Sequence, residues 1–216
     1  MQRHLPTFAA ALSALLATFL SPAALAQDWT IKAGAIRYDA HSKTDGIQGI
    51  GIPPGADAEV GDATTLVLIV ERRFTPKLSA ELVLGVPARI RSRATGSVAF
   101  LGNDILSAKN FAPTLLLTYT FFDASQALRP YVGVGVNYTT FRSITSSLAP
   151  KVEMSDSTGL AVHAGLNYAI DKQWGLFASV GRVDVKTKLV ATASTVLTSN
   201  IDLRPTTYSA GLSYRF

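Results

Sequence analysis

Five charged residues occur in segments where apolar residues fill alternate positions: Lys32, Glu71, Arg73, Glu81 and Arg215. Such alternation predicts β-strands with one apolar face, and we expect all five charges on the opposite, inner face. Enclosed charges must pair, because an unpaired buried charge is very costly. We therefore predict that Lys32, Arg73 and Arg215 pair with Glu71 and Glu81 in a lumen plug that blocks solute flow. A plain polar barrel core is the alternative interpretation.

Catalytic and metal chemistry have few candidate residues here. The sequence has no cysteine and three histidines, of which His41 and His163 follow the predicted signal peptide. A hydrolase needs a base, a carboxylate that orients the base, and a nucleophile nearby. His41 lies near Asp39 and Asp45 in a predicted loop, whereas His163 faces inward and is expected to be a hydrogen-bonded structural residue. We predict no enzyme, no metal site and no cofactor.

A second set of inward positions is apolar and, except for Phe177, lies higher, away from the charges. Its members are Ile36, Val67, Ile69, Val83, Leu116, Phe177 and Val183. Membrane barrels usually present polar groups to the lumen. Apolar residues above a polar plug therefore predict a pocket, open to the outside, for a small hydrophobic or amphiphilic ligand. Gly85 and Gly135 are expected to leave space there.

Three arginines follow Pro87 at two-residue spacing: Arg89, Arg91 and Arg93. They occupy odd-numbered positions, which face inward along the predicted strand Leu78–Arg91. We therefore expect them to line the mouth of the pocket and to attract an anionic head group. The alternative is a solvated rim or contact with lipopolysaccharide. Pro87 cannot donate a ladder hydrogen bond and therefore predicts a bulge or the end of regular pairing. We hypothesise a sideways exit to lipid at that break.

These residues are carried by eight predicted strands separated by turns. The strands are Trp29–Tyr38, Thr64–Thr75, Leu78–Arg91, Phe111–Phe122, Arg129–Phe141, Ser157–Ile170, Gln173–Lys186 and Arg204–Phe216. Short and long connections alternate, so all the long ones lie at one end. This pattern is typical of an outer-membrane barrel with short periplasmic turns and long extracellular loops. The prediction is an all-β, eight-stranded, antiparallel, transmembrane up-and-down barrel over residues 27–216.

The outward faces support a membrane location. They are almost purely apolar, and aromatic residues collect near the short-turn end, as in an interfacial girdle. A soluble β-sandwich would also alternate, but it would not need aromatics at one end of most strands. At the end of the final strand, in Tyr208–Phe216, apolar residues fill alternate positions up to the terminal phenylalanine. This ending resembles the signal that outer-membrane assembly machinery recognises.

The N-terminus and the composition indicate the compartment. Residues 1–26 have a short basic start, an apolar core and an Ala-x-Ala site, which predict a cleaved signal peptide. Only 16% of the residues are charged, fewer than in most soluble domains. A net charge of +5 is weak evidence for nucleic-acid binding, which we do not expect. The expected setting is the Gram-negative outer membrane, in contact with lipid and lipopolysaccharide, as a monomer.

Several motifs resemble the OmpW family of small outer-membrane barrels. They are "RATG" (Arg93–Gly96), "APTLLLTYTF" (Ala112–Phe121), "RPYVGVGVNYTTF" (Arg129–Phe141), "AGLNYAIDKQW" (Ala164–Trp174) and "SAGLSYRF" (Ser209–Phe216). The resemblance implies an eight-stranded barrel that binds or passes small hydrophobic molecules. The alternative function is a structural or adhesive barrel that acts through its extracellular loops without transport.

Overall fold

The computed structural model describes residues 28–40, 42–192 and 196–216, so the predicted signal peptide and His41 lie outside the described residues. The strands in chain order are β1 (Trp29–Asp39), β2 (Ser42–Thr44), β3 (Ala56–Val60), β4 (Ala63–Arg73), β5 (Leu78–Gly85), β6 (Ala88–Gly96), β7 (Leu106–Phe111), β8 (Thr114–Thr120), β9 (Leu128–Ser146), β10 (Lys151–Met154), β11 (Ser157–Ala169), β12 (Trp174–Val183), β13 (Val185–Thr192), β14 (Val196–Leu203) and β15 (Thr206–Arg215). A short 3₁₀ helix spans Ala99–Leu101. Within the described ranges, no helix is long and apolar enough to cross a membrane.

Eight of these strands close into a barrel. Their order around the barrel is β1, β4, β5, β8, β9, β11, β12 and β15, with every pairing antiparallel. The last strand pairs with the first from Thr30 opposite Arg215 to Asp39 opposite Thr206. This seam satisfies backbone groups that lipid cannot hydrogen-bond. The predicted eight-stranded, antiparallel, up-and-down barrel is confirmed.

The outer surface of the barrel is apolar because side chains alternate strictly between its two faces. In β8, Thr114 and Leu116 are buried, whereas Leu115 and Leu117 are each 49% exposed. The same alternation exposes Val134 and Val136 on β9. A continuous apolar outer face of this kind is stable in lipid and would be a liability in water.

Short turns and aromatic residues lie together at the periplasmic end. The turns occupy residues 74–77, 121–127 and 170–173. The ring of Tyr214 makes edge contacts with Trp174 and Phe216, each at 5.0 Å between centroids. In the third turn, Asp171 Oδ1 accepts hydrogen bonds from the backbone amides of Trp174 and Gln173, and these bonds lower the pKa of Asp171.

At the extracellular end the long connections are largely strands rather than irregular loops. Strands β7, β6 and β3 continue one side of the barrel from β9, and β10, β13, β14 and β2 form a second sheet. Apolar residues pack between them, including Phe141, Val185 and Ile201. The predicted long connections are therefore present, and they bury an apolar core of their own above the membrane.

Two predicted strands are interrupted in the structure. Predicted strand Leu78–Arg91 is divided into β5, which ends at Gly85, and β6, which begins at Ala88. The break contains Pro87, which has no backbone N–H for a ladder bond. A second interruption separates β12 from β13 at Asp184.

Candidate functional site

Charged and aromatic side chains meet inside the barrel in a group that we call the plug layer: Lys32, Glu71, Glu81, Tyr131 and Phe177. Lys32 Nζ lies 3.0 Å from Glu71 Oε2 and 2.9 Å from Glu81 Oε1. Lys32 and Glu81 are each only 1% exposed. The ammonium group also lies 5.1 Å from the centroid of the Tyr131 ring. A three-charge cluster under aromatic rings thus occupies the bore.

Strand register explains why a lysine is needed between the two glutamates. Glu71 on β4 lies directly opposite Glu81 on β5, and like charges in that relation destabilise a sheet. Lys32 on β1 reaches both carboxylates, so one positive charge separates and pairs two negative ones. The cluster is stable only while all three members are present.

The other two predicted members of the plug lie outside this ion-pair cluster. Among the described residues, Arg73 and Arg215 form no ion pair within 4.0 Å, so their predicted pairing with the glutamates is wrong. They line a cleft below the plug layer together with Arg129, which the sequence reasoning missed. The alternation along β9 could have revealed Arg129. Val132, Val134 and Val136 point outward, so the odd-numbered positions, including Arg129, point into the barrel.

Above the plug layer lies a cavity that we call the lumen pocket. Five of the residues predicted to form an apolar ligand site line it: Ile36, Ile69, Val83, Leu116 and Val183. The other two, Val67 and Phe177, are buried in the adjoining cluster with Ile36 and Ile69. Gly135 does not serve to leave space, because a Cβ there would collide with the backbone of Leu115 and Leu116.

The lumen pocket also has a polar side, which sequence reasoning did not anticipate. Asn137 Nδ2 donates to Thr114 Oγ1 at 2.8 Å, and Thr139 Oγ1 donates to Asn137 Oδ1 at 2.6 Å. His163 Nε2 lies 3.1 Å from Thr118 Oγ1, in line with the structural role expected of it. These groups satisfy one another, so they place little unpaired polarity against a ligand.

A break in the barrel wall adjoins the lumen pocket. Val83 is the last residue of β5 that pairs with β8, and Val86 N bonds Leu66 O before the chain turns into β6. A second cavity, the wall pocket, lies at this break and is lined by residues such as Ala63, Val86 and Ala88. The lumen pocket and the wall pocket share five lining residues: Tyr38, Asn110, Ala112, Val185 and Pro205.

The arginines that follow the break face away from the lumen. Arg89, Arg91 and Arg93 are all exposed, whereas Ala88 and Ser92 are buried. The two residues of the break, Val86 and Pro87, shift the alternation by one, so the inner face passes to the even-numbered positions. The predicted position at the pocket mouth is therefore wrong.

Two of these exposed arginines form ion pairs at the rim instead. Arg93 Nη2 lies 2.6 Å from Glu59 Oε2, and Arg91 Nη1 lies 3.4 Å from Asp104 Oδ2. The alternative interpretation, a solvated charged rim, describes this arrangement. On the same extracellular part, Asn200 holds the carboxylate of Asp45 through backbone and side-chain hydrogen bonds and lowers the pKa of Asp45.

A third cavity, the outer chamber, lies between the extracellular sheets. It is lined mainly by apolar side chains, among them Ile105, Leu189 and Ile201. Val60 lines both the outer chamber and the wall pocket. Across the described part of the chain, no group of three His, Cys, Asp or Glu side chains is placed to hold a metal ion.

A closed eight-stranded barrel with an apolar outer face and an aromatic girdle is an outer-membrane β-barrel of a Gram-negative bacterium. More narrowly, the chain belongs to the OmpW family, whose sequence profile matches residues 26–216. This assignment confirms the resemblance carried by the strand motifs.

Named relatives and a solved structure agree with the family assignment. The chain is 30% identical over 169 residues to outer membrane protein AlkL of Ectopseudomonas oleovorans, covering 78% of this chain and 73% of the relative. It is 28% identical over 197 residues to outer membrane protein W of Vibrio cholerae serotype O1, covering 88% of each. The crystal structure of OprG from Pseudomonas aeruginosa superimposes with a TM-score of 0.83 at 27% identity, covering 88% of this chain and 96% of that chain.

Proposed function

We propose that this barrel takes small hydrophobic or amphiphilic molecules into the lumen pocket from the outside and releases them sideways into the membrane. The observation that carries the proposal is the adjacency of two cavities: the lumen pocket and the wall pocket share the lining residues Tyr38, Asn110, Ala112, Val185 and Pro205. The plug layer lies below both cavities and favours a lateral route over passage straight to the periplasm.

The lining of the cavities suits an apolar ligand. Ile69, Val83 and Leu116 offer apolar contact on one side of the lumen pocket. On the other side, the amide of Asn137 and the hydroxyl of Thr139 are hydrogen-bonded within the protein. Asn110 lines the pocket too, and its buried Oδ1 has no hydrogen-bond partner. Apart from that acceptor, an apolar ligand would leave few buried donors or acceptors unpaired, and its burial would be favoured by about 25 cal/mol per Å² of apolar surface.

Filling the lumen pocket tests the binding step. Val83→Trp would place an indole in the pocket, and the matched control is Leu82→Trp on the lipid-facing side of the same strand. In cells that express each variant, we expect Val83→Trp to slow uptake of the fluorescent probe N-phenyl-1-naphthylamine and Leu82→Trp to leave it unchanged. Normal uptake by a correctly inserted Val83→Trp protein would count against the pocket.

Blocking the wall pocket tests the exit step separately. Ala88 is buried in the wall pocket, whereas its neighbour Arg89 is exposed on the outer face. Ala88→Trp should slow transfer of the probe into the membrane while purified protein still binds it, and Arg89→Trp should affect neither step. Loss of probe binding together with transfer would argue that Ala88 acts on the pocket and not on an exit.

The remaining partners follow from surface chemistry. We propose that exposed basic side chains on the extracellular part, such as Arg89 and Arg142, contact anionic lipopolysaccharide, and that the strand ending at Phe216 is recognised by outer-membrane assembly machinery. We propose a monomer without enzymatic activity. The adhesive alternative predicts that uptake is the same with and without the barrel, so the Val83→Trp comparison also discriminates between the two functions.

A further inference from the structure

The periplasmic end of the lumen contains a second cleft, which has a different chemistry. This arginine cleft lies below the plug layer and is partly open to solvent. Its basic lining residues are Lys32, Arg73, Lys77, Arg129, Lys172 and Arg215, and its acidic lining residues are Glu71 and Asp171. Positive charge therefore exceeds negative charge in an enclosed space.

Three guanidinium groups in this cleft have no acidic partner. Among the described residues, Arg73, Arg129 and Arg215 take part in no ion pair within 4.0 Å. Arg129 is only 7% exposed, and its buried Nε has no hydrogen-bond acceptor. The Nε of Arg215 is likewise buried without an acceptor. Buried donors are nearly always paired, so each exception calls for a missing acceptor.

The carboxylates that line the cleft are already engaged. Glu71 Oε2 is bound by Lys32 at 3.0 Å. Asp171 Oδ1 accepts the backbone amides of Gln173 and Trp174, each at 2.7 Å, and so belongs to the turn. Among the described residues, neither acid lies within 4.0 Å of the three guanidinium groups. Glu71 attracts them from a longer distance, while Arg73 repels both Arg129 and Arg215.

An oxyanion would remove both unfavourable features of the cleft. Guanidinium groups bind carboxylate and phosphate through charge-assisted hydrogen bonds, which are among the strongest in proteins. One anion between the three groups would accept the unpaired N–H donors and offset the repulsion between like charges.

We propose that the cleft binds an oxyanion, a phosphate or carboxylate carried by a small periplasmic solute, between Arg73, Arg129 and Arg215. The site is independent of the proposed uptake route, because the plug layer separates it from the lumen pocket. It faces the periplasm, so its ligand arrives from the cell side of the membrane.

Direct observation of the arginine side chains tests this proposal. The full mature barrel is folded in an uncharged maltoside detergent, which brings no phosphate, and titrated with inorganic phosphate or with hexanoate while the arginine Nε–H resonances are recorded. We expect saturable shifts of the Arg129 and Arg215 signals. Arg73→Gln should weaken binding by about tenfold or more, since a hydrogen bond to a charged group is lost. Arg142→Gln, an exposed arginine at the extracellular end, is the matched control.

The outcomes separate the possible sources of the anion. If phosphate saturates the signals but hexanoate does not, the ligand is a phosphate, and the reverse result assigns a carboxylate. Signals already shifted in bilayers that contain phosphatidylglycerol, with no response to free phosphate, would mean that a lipid headgroup fills the site and would overturn the proposed soluble source. Shifts that only follow ionic strength, or that persist unchanged in Arg73→Gln, would overturn the site itself. Arg129→Gln provides a second variant, and slower migration on unboiled gels identifies any variant that has not folded.

Discussion

Replacing Lys32 by methionine should destabilise the barrel more than any other single change to its lumen charges. The substitution keeps most of the side-chain volume but leaves Glu71 and Glu81 buried and directly opposite each other. Removing one partner from a buried ion pair typically costs about 3–5 kcal/mol, mainly because the remaining charge is unpaired. Two unpaired carboxylates place the expected loss for Lys32→Met at the upper part of that range, about 4–5 kcal/mol.

A compensated variant separates this cause from loss of packing. Combining Lys32→Met with Glu71→Gln and Glu81→Gln removes all three charges at nearly constant volume. The combined variant should recover most of the lost stability, because replacing a whole buried charge cluster is often nearly neutral. The two neutral amides would still need hydrogen-bond partners, so we expect recovery to within about 2 kcal/mol of the natural protein.

Reversible urea unfolding in micelles measures these free energies. The two tryptophans, Trp29 and Trp174, lie at the girdle and report the transition by fluorescence. Arg142→Met, which removes an exposed cation at the other end, controls for loss of a positive charge. A cost below about 1 kcal/mol for Lys32→Met, or a triple variant no more stable than the single one, would refute the role assigned to the cluster.

Three further predictions concern the wall, the packing of the lumen and a turn. Val134→Arg on the lipid face should cost about 2–4 kcal/mol in bilayer unfolding experiments, and Val134→Ala much less; equal effects would contradict the lipid-facing position. Gly133→Val should break the bond between His163 and Thr118, because even a Cβ at Gly133 collides with both side chains, and a changed His163 NMR signal would reveal it. The pKa of Asp171 is lowered in the folded protein, so its contribution to stability is present above about pH 4 and is lost as the pH falls through its folded pKa. The difference in free energy of unfolding between the natural protein and Asp171→Asn should therefore shrink between pH 7 and pH 3. A difference that stays constant would contradict the role of Asp171 in the turn.

Parity predicted the barrel and most inner positions because a strand reverses its side chains at every residue. Leu116 and Ile69 face inward as expected, since β8 and β4 are continuous around them. Arg91 does not, because Val86 and Pro87, which lie between β5 and β6, shift the alternation by one. A proline predicts that pairing ends, but it does not predict how many residues the break contains.

Partner choice inside the lumen could not be derived from one sequence. Lys32, Arg73 and Arg215 carry the same charge, and the sequence predicts all three in the lower part of the barrel. The register between strands decides which of these cations reaches the glutamates. Register puts Glu71 opposite Glu81, and Lys32 on the next strand is the cation that lies between them. Arg73 lies two residues further along β4, toward the periplasm, and so falls in the cleft instead.

The length of β9 has a consequence for how an oily molecule would approach the cell. Its 19 residues extend roughly 60 Å, or about 45 Å in height at a 40° tilt, whereas the apolar band of such barrels is about 25 Å tall. The wall therefore rises about 20 Å beyond the hydrocarbon, into the hydrated sugars that coat the cell. A barrel wall of this height, with an apolar inner surface, would shield a hydrocarbon from water across that hydrated layer. Without it, each methylene exposed to water costs about 0.8 kcal/mol.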